Sequence, residues 1–363
     1  IRGAFTNPFE LQNYYPLKSK YDIRVISSKH PISEDIDLPL TKLFSPTDLP
    51  NFPYKYPILN RLFTDAHYLF GLEKEIAGSD IVHVAETYYH YTLQAIKAKQ
   101  AGLVKKVIST VWEVIPFNNE GIHGRKQFKQ LSYKYIDHFI AVTQKAKSAL
   151  MKEGVGESKI TVLPMGINLS RFKCNRKILN PKSKILNILY VGRLVSEKGV
   201  GDLITAFRRL RSENKNLSLT LIGDGPLKKL IKAGEGIIVK SLPYSKIPKV
   251  YSRADIFCLP SKTTPYWQEQ FGMVLLEAMA CGLPIVTTNT GAIHEVCGDT
   301  ALYARQSDPE SLKTNLEKLI YNVELRQEMG KSSRQRAIQR FDRLKIAKQI
   351  RQLYQKVCRS NTA

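Results

Sequence analysis

Short apolar runs rich in β-branched residues alternate along this chain with segments whose apolar positions recur at helical spacing. In the first half the runs fall at residues 21–27, 81–84, 107–111, 139–143 and 160–163, and helical patterns at 89–101 and 145–153 end near Gly102 and Gly154. Continuous apolar strands separated by helices predict parallel βαβ units, whose sheets are covered on both faces. The second half repeats the scheme, with strands predicted at 185–191, 217–222, 237–240, 256–259 and 285–288 and a helix at 200–211. Two doubly wound parallel sheets follow, one domain at 1–167 and another at 168–340, with a basic, polar linker at 171–184. Residues 31–57 are rich in proline and acidic residues, carry no period and predict an irregular connection. Residues 341–363 predict a last helix, in which Leu344, Ile346, Ala347, Ile350, Leu353, Tyr354 and Val357 form an apolar stripe suited to core packing.

The densest chemistry lies at 268–286. Glu269 sits in a polar loop after which Phe271 and Gly272 lead into a helical run, Glu277 follows eight residues after Glu269, and Gly282 stops the run before an apolar strand. Gly272 admits close backbone approach, and the amides of Met273 and Val274 fall where a helix start presents unpaired donors to an anion. Glu277 lies roughly 6 Å further along the helix axis, so the two carboxylates reach different parts of one ligand. A second loop, at 191–199, has the strand–loop–helix setting of a phosphate site and carries Gly192, Arg193 and Lys198. The planar fork of Arg193 and the compact charge of Lys198 converge on one diphosphate. Gly223-Asp224-Gly225-Pro226 is not a dinucleotide fingerprint, because its third glycine would fall on Lys228. In the first half, 86–90 and 110–117 follow strands, where open parallel sheets bind ligands, and Glu113 stands at a strand end. Trp112, His90 and His123 read as ordinary packing or surface positions.

The Glu-x7-Glu spacing, the Phe-Gly pair, the Glu-Ala-Met-Ala-Cys-Gly-Leu-Pro continuation and the Arg-x4-Lys loop together resemble the retaining nucleotide-sugar glycosyltransferases of family four, the group 1 glycosyltransferases. The resemblance implies a GT-B fold: two Rossmann-like domains facing a central cleft, with the C-terminal helix crossing back to the first. It implies a nucleoside-diphosphate sugar held by the second domain, Arg193 and Lys198 stabilising the departing diphosphate, and Glu269 orienting sugar hydroxyls. Glu277 would hold the ribose, Phe271 to Val274 the anion, and Gly192, Gly223 and Leu242 the nucleotide side. Gly3, in a loop at 2–5 that family members place after a central strand, and Glu113 would serve the acceptor side, and about one strand is expected ahead of Ile1. Many relatives have a histidine and an aspartate where this chain has Trp112 and Glu113, so no residue inherits that histidine's role. The implied reaction is retaining transfer of a hexosyl unit, mannosyl favoured, to a glycan or lipid-linked acceptor, with no metal or other cofactor. A nucleotide-sugar epimerase and a catalytically silent nucleotide-sugar-binding or scaffold protein are the rival readings.

Bulk properties refine this picture. The 363 residues, 43% of them hydrophobic, suffice for two cores, and no apolar run approaches the ~20 residues of a membrane helix. Five cysteines without a Cys-x-x-Cys pair argue against a disulfide framework or zinc site and for a reducing cytoplasm. A net charge of +23 attracts polyanions. The basic residues are scattered without any nucleic-acid-binding signature, so nucleic acid is not expected as a partner and peripheral contact with anionic lipid at the inner face of the membrane is.

Overall fold

A computed structural model describes residues 1–173 and 185–359. Most of the expected linker, at 174–184, lies outside the described residues. The chain forms two compact units, one of Ile1–Gly166 together with the segment from Arg343 onward, the other of Ile167–Asp342.

The first unit holds β1 (Val25–Ser28), β2 (Leu40–Leu43), β3 (Ile81–Ala85), β4 (Lys106–Val111), β5 (His138–Ala141) and β6 (Ile160–Val162). Strands β3-β4-β5-β6 make one parallel sheet in that order, and β1-β2 make a separate parallel pair. Every residue of β4 is buried, as its apolar run and inner place require. The first residues run between the edges of β1 and β3: the Arg2 amide donates to Ile26 O at 3.2 Å and the Ile1 ammonium to His83 O at 2.6 Å. A cavity of about 740 Å³ adjoins them, lined in part by Val25, Ile81, His83 and Tyr354. The helix Arg343–Arg359 packs Ile346, Ile350, Leu353 and Val357 with Leu17, Ile108, Ile140 and Leu163.

The second unit is one parallel sheet of β7 (Leu186–Val191), β8 (Leu217–Ile222), β9 (Ile237–Lys240), β10 (Ile256–Leu259), β11 (Ile285–Thr288) and β12 (Ala301–Ala304), in the order β12-β11-β10-β7-β8-β9. From β7 the chain winds outward through β8 and β9, then returns to β10 and winds the other way. The carboxyl ends of β7 and β10 therefore flank a topological switch point, where such sheets bind ligands.

Two expectations need correction. Residues 31–57 are not one irregular connection: Leu40–Leu43 pairs with β1, and Ser45 caps a short turn at Pro46–Asp48. Half-exposed edge strands such as β2 need no apolar run, which is why the pattern hid it. The strand expected at 21–27 begins only at Val25, after irregular backbone. Among the described residues Cys258, Cys281, Cys297 and Cys358 form no disulfide.

Candidate functional site

The loop after β7 is built by close backbone packing. The Gly192 amide donates to Ile222 O at 2.9 Å and the Leu194 amide to Asp224 O at 2.7 Å, drawing the 192–198 loop onto the turn after β8. A Cβ on Gly223 would fall 1.8 Å from Gly192 O, so only glycine fits. The Tyr190 hydroxyl donates to Arg193 O at 2.6 Å and fixes the loop from below. The Arg193 side chain is 63% exposed and lies 3.3 Å from the Glu197 carboxylate, a cation at the sheet's ligand end.

Lys198 is held differently. Its ammonium lies 2.6 Å from Glu269 Oε2 and 4.7 Å from the centre of the Trp267 ring, with both partners of the ion pair largely buried. Ser261, just after β10, donates to the same Oε2 at 2.9 Å. The Glu269 carbonyl accepts from the Ala292 amide at 2.9 Å, and a Cβ on Gly291 would fall 1.9 Å from that carbonyl. The loops after β7 and β10 thus meet at one carboxylate, and the loop after β11 packs on the backbone carbonyl of the same residue. Gly272 follows at φ +80°, a conformation that suits glycine, and begins the helix Met273–Ala280. The amides of Met273 and Val274 occupy the first turn there, and the Glu269 side chain lies beside Gly272.

Glu277 lies one turn into that helix and is buried. Tyr251 donates to its Oε2 at 2.9 Å. Burial pushes its carboxyl up to about 7, against hydrogen bonds from Tyr251 and Tyr244 and the charge of Arg171. Arg171 stacks over the Tyr244 ring at 4.2 Å and donates to Tyr244 O at 2.8 Å. Ser241 ties the 241–244 loop, which carries the half-exposed Leu242, to Gly223 O at 2.9 Å. Phe271 is buried, edge-on to Phe341, a packing position. Tyr251, Arg171 and Ser261 were not singled out from the sequence, and no local pattern marks them.

In the first unit, Gly3 at φ +55° bridges to Ser27 and faces the Tyr91 ring. Glu113 is filled by its own loop: Oε1 accepts from the Val114 and Ile115 amides, and Oε2 from the side-chain amides of Asn118 and Asn119. Glu86, at the end of β3, is the more unusual carboxyl. It adopts φ 63°, accepts from the Trp112 amide at 2.8 Å through Oε1, and leaves Oε2 buried with no hydrogen-bond partner. Burial, then the charge of Glu113, pushes it up to about 8. Trp112 is buried beside it, His90 donates from Nδ1 to Phe63 O, and His123 is exposed. Among the described residues no three histidine, cysteine or acidic side chains converge as a metal-ligand set.

Comparison with known proteins finds family matches along both halves of the chain. Residues 172–336 match the family described as glycosyl transferases group 1, and residues 17–171 match glycosyltransferase family 4. The capsular polysaccharide biosynthesis glycosyltransferase CapM of Staphylococcus aureus is 30% identical over 259 residues, 65% of this chain and 67% of the relative. A glycogen synthase of Mycobacterium tuberculosis is 31% identical over 55% of this chain, which spans about half (49%) of that relative's length. Among solved structures, Anabaena HepE in complex with UDP and glucose superposes with a TM-score of 0.75 at 17% identity, covering 97% of both chains. A glycosyltransferase from Rickettsia africae gives 0.72 at 18% identity, covering 96% of this chain and 94% of its own.

Proposed function

The chain belongs to the group 1 glycosyltransferases, with the GT-B fold, and from that premise we propose that it moves a hexosyl unit from a nucleoside-diphosphate sugar to a glycan or lipid-linked acceptor, retaining the anomeric configuration. One observation carries the reading. Lys198 and Glu269, 71 residues apart in sequence, meet at the switch point of the second unit with the start of the Met273–Ala280 helix beside them.

The difficult step is departure of the diphosphate as the anomeric C–O bond breaks. Arg193 and Lys198 neutralise the charge growing on the leaving oxygen, and the amides of Met273 and Val274 form a preorganised anion hole. Before donor arrives, the Glu269 carboxylate holds the Lys198 ammonium in place. With donor present, the ammonium turns donors toward phosphate oxygens while Glu269 accepts from sugar hydroxyls. Glu277 accepts from the ribose. The acceptor hydroxyl, served by the first unit, attacks from the face the diphosphate leaves and gives it its proton. Two cationic side chains supply the charge a metal supplies elsewhere. Family likeness favours a mannosyl unit, whereas a solved neighbour that binds UDP and glucose favours a UDP-sugar. The excess of basic residues suits work at the cytoplasmic face of an anionic membrane.

Saturation-transfer NMR against GDP- and UDP-sugars, with Lys198→Ala as control, tests the donor site. The expected result is transfer to one nucleotide sugar that the variant loses; binding of none by folded protein overturns the reading. The absence of the family's histidine at Trp112 favours, as the second reading, a silent nucleotide-sugar-binding protein. Donor binding without transfer or hydrolysis would establish that instead.

A further inference from the structure

The first unit holds out an apolar ledge at residues 52–62. Tyr54 is 78% exposed and Leu62 72%, and Phe52, Tyr56 and Ile58 are exposed with them. In the helix Lys55–Phe63 only Lys55 and Leu59 are buried. Ile58 and Leu62, four residues apart, share one side of it. The ledge is not a loose loop. The Lys55 ammonium donates to Thr47 O at 2.9 Å and to Leu49 O, and the Asn60 side chain accepts from the Ala66 amide at 3.1 Å. Behind the helix, Thr64 packs where Gly124 leaves room, since a Cβ there would fall 2.6 Å from Thr64 Cγ2. Asp65 follows, fully buried and paired to Arg125 at 2.6 Å. Buried charges thus brace side chains that burial alone would draw inward, an arrangement that marks an interaction surface.

Charge selects the partner. Among the charged residues of 48–65, Lys55 and Asp65 are buried and the Asp48 carboxylate accepts from the Ser45, Lys29 and His30 amides, which leaves Arg61 as the exposed charge there; Lys126, two residues from the Gly124 contact, is exposed as well. On a chain of net charge +23, an apolar ledge with tyrosines and cations at its edge complements an anionic lipid surface. We propose that residues 52–62 are the membrane-docking surface, seating Tyr54, Ile58 and Leu62 at the boundary between headgroups and acyl chains. This inference rests on the proposed membrane location and names the surface that achieves it.

Co-sedimentation with phosphatidylcholine vesicles, with and without phosphatidylglycerol, tests it. The full chain is compared with the double variant Ile58→Glu/Leu62→Glu and with Tyr321→Glu, which puts a carboxylate at an exposed aromatic site of the second unit. The chain is expected to pellet with the anionic vesicles, the double variant to partition at least about tenfold more weakly, and Tyr321→Glu to behave as the parent. Equal binding by the double variant overturns the ledge and leaves the membrane location standing. If the parent itself does not bind, both fall. A dimer in solution that the double variant splits, without vesicle binding, assigns the ledge to a second copy and overturns the proposal. An unchanged circular dichroism spectrum and an unchanged unfolding midpoint of the first unit report that the double variant is folded.

Discussion

Glu277 is a carboxyl kept where its charge is disfavoured, and that shapes how the donor site responds to pH. Burial holds it up to about 7 from an ordinary 4.5, with Tyr251 already donating to one oxygen. A ribose hydroxyl donates best to the ionised form, and the diphosphate of a nucleotide sugar has no ionisation of its own near neutrality. Affinity for the donor is therefore expected to rise from about pH 6 to about pH 8 and then level off. Titration calorimetry across that range checks this; Glu277→Gln should flatten the profile and weaken binding about tenfold to a hundredfold, the range for a hydrogen bond to a charged group. Stability of the free protein moves oppositely. A carboxyl whose folded value is raised favours folding least when ionised, so its contribution falls as pH climbs from about 4.5 through about 7. Glu86, held up to about 8, extends the same loss to higher pH in the first unit.

Among the elements, the helix Arg343–Arg359 shows what one stripe of apolar residues does for a sheet. Ile350 is buried in the cluster that covers Ile108 and Ile140, and the Tyr354 hydroxyl meets His83 Nδ1 at 2.6 Å. Ile350→Ala is expected to destabilise the first unit by about 2–5 kcal/mol through lost burial and a cavity. Tyr354→Phe is expected to cost about 0.5–1.5 kcal/mol by removing the hydroxyl partner of a part-buried ring nitrogen. Denaturant unfolding followed by a first-unit probe measures both. This helix was legible because its apolar positions repeat at helical spacing, and β4, β7, β8, β10 and β11 were legible as short runs rich in apolar and β-branched residues. Strand β2 was not, being half exposed at an edge, and β12, Ala301–Ala304, offers too short an apolar run to stand apart. The site divides the same way. Arg-x4-Lys and Glu-x7-Glu are local spacings within single short segments, readable directly. Tyr251 reaching Glu277 from 26 residues away, and Ser261 sharing Glu269 with Lys198, depend on strand order, which leaves no trace in neighbouring residues.

For the whole molecule, the consequence lies in how the two units divide the work. The chain passes between them only at Gly166–Ile167 and at Asp342–Arg343, and each unit closes its own sheet. Every group proposed to hold the donor, from Gly192 to Glu277, belongs to the second unit, while the ledge and Glu86 belong to the first. A ligand stabilises the state it binds by about 2.7 kcal/mol at a hundred times its dissociation constant, and that protection extends only as far as the structure that opens together. Hydrogen exchange with a nucleotide sugar is accordingly expected to slow amides at 192–199, 223–227 and 272–277 and to leave β3 to β6 unchanged. Anionic vesicles are expected to give the complementary footprint, slowing 52–62 alone. Donor-induced protection of β4 or β5 would instead mean that the units open as one cooperative body, because no proposed donor contact lies in that sheet and only coupling through the two chain crossings or the surfaces of the units can carry it there.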